Sequence, residues 1–420
     1  MGFAETSTRV DLEGLMPFEV AARLRHLPGL VFFDSAGNQP GDSGPPVSVV
    51  AARPVEVIRG SIHDPASRAK LEAVLAKRAL PNAMDLGFPS GGLCGWIGYE
   101  GDFVFGDYPE MLVHTESGGW HEVGGLSAEL RETGPEERAE IGPVTAKMLR
   151  EDFLTGVERI REWIAAGDIY QVNLTQAFEA EVRGGSLWGL YACLRELSPA
   201  PMAAWLELDG RELLSSSPET FLRMSGRGIE TRPIKGTRPR SSAAAEDRRL
   251  AVELQTSPKE IAELVMITDL LRNDLGRVCD FGSVEVREML RLETLAQVHH
   301  LVSVVAGRLA EGTRQIDALA ACFPGGSITG APKKRAMEII SELEGGPRGV
   351  YCGAIGYFGY GGESQFNIAI RTIVREADRL SFHVGAGIVA DSDPEREYEE
   401  TLHKAEGIRL ALERYAAQGA

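Results

Sequence analysis

The stretch RPIKGTRPR at residues 232–240 sets a lysine between a proline-fixed turn and a glycine, with four cationic side chains in nine residues of a chain whose formal net charge is −17. The backbone there can bend sharply and approach a ligand closely, which leaves Lys235 three roles: a solvated loop charge, a phosphate clamp or a nucleophile. Carboxylates form a second constellation. Glu260 and Glu263 stand three apart, and Glu397, Glu400 and Lys404 fall at i, i+3 and i+7, so each set shares one helical face. Two such faces on separate helices suit a Mg2+ site, and they suit equally a pair of solvated faces stabilised by Glu–Lys contacts.

Other stretches are tested against known chemistry. FPGGSITGAPKKRAMEII (323–340) fails as a P-loop, because Ala331 and Pro332 separate the second glycine from Lys333. It remains a glycine-rich turn feeding a helix N-terminus near Pro332, which either caps a helix or receives an anion. In HVGAGIVADSDPE (383–395), Gly385 and Gly387 mark a close approach to the backbone, without the third glycine of a dinucleotide site. The His299–His300 pair lacks metal-like partner spacing, and no Ser-His-Asp order, G-x-S-x-G elbow or glutaminase-type cysteine motif occurs.

The elements that must carry these residues follow from periodicity. Residues 1–57 read as short strands and turns, 66–79 as a helix, and 131–143 as a charged linker. Helical spacing over 145–168 ends near Gly167. IYQVNLTQAFEAEV and PMAAWLELDGRELLSSS read as strands. A helix opens at Ser257–Pro258, others span about 314–322 and 332–344, and the last runs from about 394 to 416. GVYCGAIGYFGY, SQFNIAIRTIVREA and LSFHVGAGIVAD read as strands between them. Hairpins and helices without regular β–α alternation predict an α+β fold of sandwiched layers.

At 420 residues the chain has room for one very large core or two to three ordinary ones. Five scattered cysteines without a C-x-x-C pair fit reduced thiols. The acidic balance disfavours nucleic acid and anionic lipid, and no run of about 18 apolar residues could span a bilayer, so a cytoplasmic protein is expected.

Nine ordered segments resemble the chorismate-utilising enzymes, which include anthranilate synthase component I, aminodeoxychorismate synthase component I, isochorismate synthase and salicylate synthase. They are GDIYQVNLTQ, SSSPETFL, PIKGTRPR, AELVMITDLLRNDLGRV, VHHLVS, FPGGSITGAPKKRAMEII, GAIGYFG, IAIRT and GAGIVADSDPEREYEETLHKAEGI. The resemblance implies a large layered sandwich of two antiparallel-rich sheets flanked by helices, with an N-terminal region at 1–140 and a chorismate-binding catalytic domain at 145–420. Near FFDSAG and GYEGD it also implies a possible tryptophan-like pocket. Water-adding members carry a lysine where this chain has Gln171, and anthranilate synthases typically read PIAGT where this chain reads PIKGT. The lysine form resembles the aminodeoxychorismate synthase branch, with anthranilate synthase component I as the alternative and a non-catalytic chorismate-binding relative as a distant third.

By the same resemblance, Lys235 is the nucleophile, Glu219 the general acid/base, and His300 the histidine that assists pyruvate loss in anthranilate formation. Mg2+ would be held by Glu263 and Glu400, with Glu260 and Glu397 close by. Tyr351, Arg371, Lys404 and the backbone of Gly385, Ala386 and Gly387 would take the enolpyruvyl carboxylate. Gly236, Thr237, Ser327 and Thr329 would line the ring. The absent glutaminase motif implies ammonia from a separate glutamine amidotransferase subunit.

Overall fold

The computed structural model describes residues 7–12, 14–35, 47–80, 87–115, 119–134, 137–295 and 298–418. Two antiparallel sheets, of 13 and 10 strands among these residues, pack face to face. Their shared layer interleaves Val49, Ala204 and Leu206 of the larger sheet with Cys94, Trp96, Ile355 and Tyr357 of the smaller. Helices Pro17–Leu24, Trp188–Leu197 and Pro394–Ala417 cover the outer face of the larger sheet through Val20, Leu24, Leu194 and Ile408. This is the expected α+β sandwich.

Strands from early and late sequence alternate within both sheets. Val31–Asp34 pairs with Met202–Leu208 in the larger, and Gly92–Ile97 pairs with Ala354–Gly359 in the smaller. Among the described residues no helix is long and apolar enough to cross a membrane.

The site-bearing elements, in chain order, are β1 (Gln171–Arg183), β2 (Arg211–Ser217), β3 (Thr220–Ser225), β4 (Ile234–Pro239), α1 (Pro258–Gly276), β5 (Val298–Arg308), α2 (Lys333–Glu344), β6 (Glu363–Ile368), β7 (Thr372–Glu376), β8 (Arg379–Ile388) and α3 (Pro394–Ala417). Ser257 caps α1 and Asp393 caps α3, each followed by a proline at the first helical position.

Three sequence expectations are corrected. Residues 17–24 form a helix inside the stretch read as strands: Pro17 presets its first turn, and Glu19 Oε2 accepts the Met16 N–H at 2.8 Å. The linker reading of 131–143 overlooks Glu140–Ile141, which pairs with Val182 and Arg183 at the end of β1. SQFNIAIRTIVREA is not one strand. Its first half, β6, belongs to the smaller sheet and its second, β7, to the larger. The chain crosses between sheets at Ala369–Arg371, a break that the apolar alternation conceals. FFDSAG is only partly testable, since Ala36 and Gly37 lie outside the described residues.

A matching crossing joins β2 in the larger sheet to β3 in the smaller, at Pro218–Glu219. The two crossings clasp each other. Ser217 Oγ donates to the Ile368 carbonyl at 2.6 Å, the Ile368 N–H to the Glu219 carbonyl at 3.0 Å, and the Ser216 N–H to the Arg371 carbonyl at 3.0 Å. All three serines 215–217 are buried, where an unmade hydrogen bond costs about 1–3 kcal/mol, so the clasp resists opening.

Candidate active site

Glu219 and Arg371 stand at the two crossings. Burial raises the Glu219 carboxyl to about 7, opposed by a hydrogen bond from Ser327 and by the nearby Lys235 and Lys404 charges. Arg371 holds a left-handed backbone at φ 49°, a conformation costing a non-glycine residue about 1–3 kcal/mol. Among the described residues its guanidinium has no hydrogen bond or ion pair, and burial lowers its pKa. An unpaired, desolvated arginine on a strained backbone is fitted to grip an incoming carboxylate in a bidentate manner.

Lys235 lies on β4, paired with β5. Their register slips between Lys235 and Thr237, and Gly236 at φ 73° absorbs the extra residue. A β-carbon at Gly236 would sit 2.7 Å from Leu254 Cδ1 and 2.9 Å from Glu260 Oε2, side-chain ends that would have to move, while the left-handed φ favours glycine outright. The slip brings Thr237 opposite His300, whose Nδ1 lies 3.0 Å from Thr237 Oγ1 and 3.3 Å from the Gly236 carbonyl. Donation from Nδ1–H to that carbonyl fixes the tautomer and leaves Nε2, which is buried without a partner, as a bare acceptor. Burial lowers the His300 pKa to about 4, with the Arg371 charge contributing, so the ring is neutral at ordinary pH.

The opposite wall is the β1–β8 ladder, where Asn173 faces Gly387 and Thr175 faces Gly385. A β-carbon on Gly387 would overlap Gln171 Nε2 and lie 3.8 Å from Lys235 Nζ, which brings lysine, amide and backbone to one point. Gln171 Oε1 is buried without a partner. The Lys404 ammonium donates to the Gly385 carbonyl at 2.9 Å and pairs with Glu400 at 2.7 Å. Gly387→Ala is therefore expected to lower the urea midpoint by an amount equivalent to about 1–3 kcal/mol. An unchanged midpoint would mean that the Gln171 side chain has room to yield.

Glu260 and Glu263 lie on α1 and Glu397 and Glu400 on α3, and the Lys259 ammonium bridges the two helices. Burial raises the Glu263 and Glu397 pKa values; the Glu260 and Glu400 charges add to the first, and that of Glu400 to the second. Glu260 is also tied to Arg238 Nη1 at 3.4 Å. Glu397 accepts from Ser392 Oγ at 2.7 Å, while its other oxygen is buried without a partner. Oxygen donors of this kind are what a hard divalent cation takes. Among the described residues, however, no three acidic, histidine or cysteine side chains converge closely enough to hold a metal. Lys259 stands between them, its Nζ 3.6 Å from Glu397 and 3.9 Å from Glu263. The sequence singles out Lys259 only through its i, i+4 spacing to Glu263.

The remaining expected residues are less closely bound to this centre. The Tyr351 ring, buried, stacks on His383 with centroids 5.0 Å apart. Ala386 is a fully buried ladder residue facing Leu174. The Thr329 hydroxyl is engaged by the Gly325 and Gly326 carbonyls at 3.1 and 3.2 Å, which holds the turn that presents Ser327. Lys333 has a structural role, joining Asp274 of α1 at 2.7 Å and the Cys322 carbonyl at 2.9 Å.

A family model described as chorismate binding enzyme matches residues 108–409. An anthranilate synthase component 1 of Haloarcula marismortui is 48% identical over 264 residues, covering 63% of this chain and 54% of that protein. An aminodeoxychorismate synthase component 1 of Bacillus subtilis is 45% identical over 283 residues, covering 67% and 59%. The match thus spans little more than half the length of either relative. The crystal structure of anthranilate synthase component I from Streptococcus pneumoniae superposes with a TM-score of 0.75 at 29% identity, covering 88% of this chain and 93% of that one.

Proposed function

Because the chain belongs to the chorismate-binding enzyme family, we propose that it aminates chorismate at C4, as component I of an aminodeoxychorismate synthase supplied with ammonia by a glutamine amidotransferase partner. The observation that carries this reading is Lys235: an amine without a hydrogen-bond or ion-pair partner among the described residues, between the Glu219 carboxyl and the open Gly387 backbone.

Direct displacement of the C4 hydroxyl by ammonia leaves a poor leaving group unassisted. Addition of the Lys235 nitrogen lone pair at C2 shifts the ring double bond and expels the C4 oxygen, which departs as water with the Glu219 proton. Ammonia then attacks C4, the double bond returns, and Lys235 leaves with its electron pair. Near pH 7 Glu219 is poised to give the proton and take it back. Arg371 and Lys404 are the cations available to the enolpyruvyl carboxylate. Mg2+ is implied by the family resemblance alone: Glu263, Glu400, Glu260 and Glu397 have the donor chemistry for it but do not converge closely enough in this structure to hold it, and when bound it would supply positive charge to the ring carboxylate.

A second reading, anthranilate synthase component I, is favoured by His300, whose neutral imidazole offers a free Nε2 of the kind that pyruvate elimination uses. Chromatography of the product formed from chorismate, Mg2+ and ammonium separates the two. Formation of 4-amino-4-deoxychorismate supports the first, while anthranilate with pyruvate establishes the second in its place.

A further inference from the structure

Against β1 lies a buried ion pair that the chemistry above does not use. Arg348 is 3% exposed, and its Nε and Nη2 donate to the two oxygens of Glu344, the last residue of α2, at 2.8 and 2.7 Å. Nη2 also donates to the Asn173 carbonyl on β1 at 2.7 Å, and Nη1 to the Ile328 carbonyl at 3.0 Å. A guanidinium carries its donors in a fixed plane, so bonds to three separate pieces of chain fix their spacing as a point charge could not. The GYEGD stretch holds the same residue from the N-terminal region. The guanidinium carbon lies 4.6 Å from the centre of the Tyr99 ring, and Glu100 accepts the Arg348 and Gly349 N–H groups at 2.8 and 3.1 Å.

What Arg348 fastens is the turn that carries Ser327. Ile328 follows Ser327, whose hydroxyl bonds to the Glu219 carboxyl, and the Asn173 N–H donates to the Thr329 carbonyl at 2.9 Å. Glu344 reaches β1 as well, accepting the Thr175 N–H at 3.0 Å. Neutralising a buried charge would need only Glu344; the two carbonyl bonds span the join between the turn and β1. We propose that Arg348 is a positioning residue: it sets the distance between β1 and the 326–329 turn, and so aims the Ser327 hydroxyl at Glu219. The inference rests on the reading of Glu219 as the acid and applies whichever product is formed.

Carbon-13 NMR of glutamate-labelled protein follows the Glu219 titration without chorismate, its signal identified by its loss in Glu219→Gln. The other groups facing this carboxyl, Lys235 on β4, Lys404 on α3 and the Cys352 thiol, are kept throughout. Ser327 donates to the charged form, so Ser327→Ala raises the midpoint. Arg348→Lys keeps a charge beside Glu344 but cannot reach both carbonyls. Arg348→Met with Glu344→Gln removes the pair without stranding a buried charge, so it folds even if the first variant does not. Both Arg348 variants are expected to raise the midpoint in the same direction as Ser327→Ala, with no further rise when Ser327→Ala is added. At pH 6, below the wild-type value of about 7, kcat for chorismate should fall by up to about 100-fold, the cost of moving a catalytic group by about 1 Å. A midpoint unmoved in the Arg348 variants or in Ser327→Ala, or a kcat left at the wild-type value, overturns the proposal. A wild type inert to chorismate, or a Glu219→Gln variant as fast as the wild type, overturns the acid reading instead, and raised midpoints then leave the grip of Arg348 on the turn standing.

Discussion

Lys235→Ala is expected to lose amination by on the order of 10³-fold or more with ammonium as the nitrogen source, while the protein stays as stable as its parent. The two halves of that expectation have separate grounds. Lys235 Nζ makes no hydrogen bond or ion pair among the described residues, so truncation strands no partner and should change stability by less than about 0.5 kcal/mol. Chemically the amine is the only side chain in the proposed route that bonds to the ring. Loss of the covalent step therefore appears in kcat, with little change in chorismate affinity. Intact-mass analysis supplies the complementary reading, since a chorismate-derived adduct seen on the wild type should vanish from the variant. An alanine variant that still makes 4-amino-4-deoxychorismate at the parental rate would sink the nucleophile assignment.

For Glu219→Gln the expected loss in rate is about 10²–10⁴-fold, the usual range for a positioned acid. The descending limb of kcat/KM centred near pH 7 should disappear with it, because the protonated carboxyl is the working form and burial holds its pKa at about 7. The same shift acts on stability with a defined sign. The folded protein holds this proton more tightly than the unfolded chain, whose glutamate titrates near 4.5. Stability from this group is thus intact below the unfolded value and lost as pH rises toward the folded one. Glutamine cannot ionise and escapes that loss. The stability gained by the variant over the wild type should widen by about 2 kcal/mol between pH 5 and pH 8, as read by urea unfolding at each pH. A gap that narrows with pH would show the carboxylate to be stabilised in the fold, contrary to the burial that surrounds it.

Much of this could be read from residues alone, and the rest fails for identifiable reasons. Long periodic helices such as α1 and α3 announce themselves through caps and apolar spacing, and Glu263 and Glu400 come with them. Lys235 stands out because proline and glycine flank it. Arg371 and Glu219 are different. The apolar run of IAIRT hides the change of sheet, and in SSSPETFL Pro218 marks a break without telling that the next strand lies in the other sheet. The orphaned Nε2 of His300 and the ammonium of Lys259 amid four carboxylates depend on which elements face each other, and that is a property of tertiary packing, invisible to local pattern.

The paired crossings have a consequence for how such a catalyst can be altered. Glu219 and Arg371 are fastened by bonds between Ser217, Ile368, Ser216 and the crossing backbone itself, so neither can shift without disturbing both sheets. Lys235 and Gln171 have no such obligation: one follows a register slip in a ladder and the other ends in an unsatisfied amide oxygen. The scaffold behaves like a vice with replaceable jaws, in which the parts that seize the substrate are welded to the frame. On the proposed function, exchanges at 171 and 235 are expected to redirect the reaction without re-evolving substrate recognition, and libraries confined to those two positions test this.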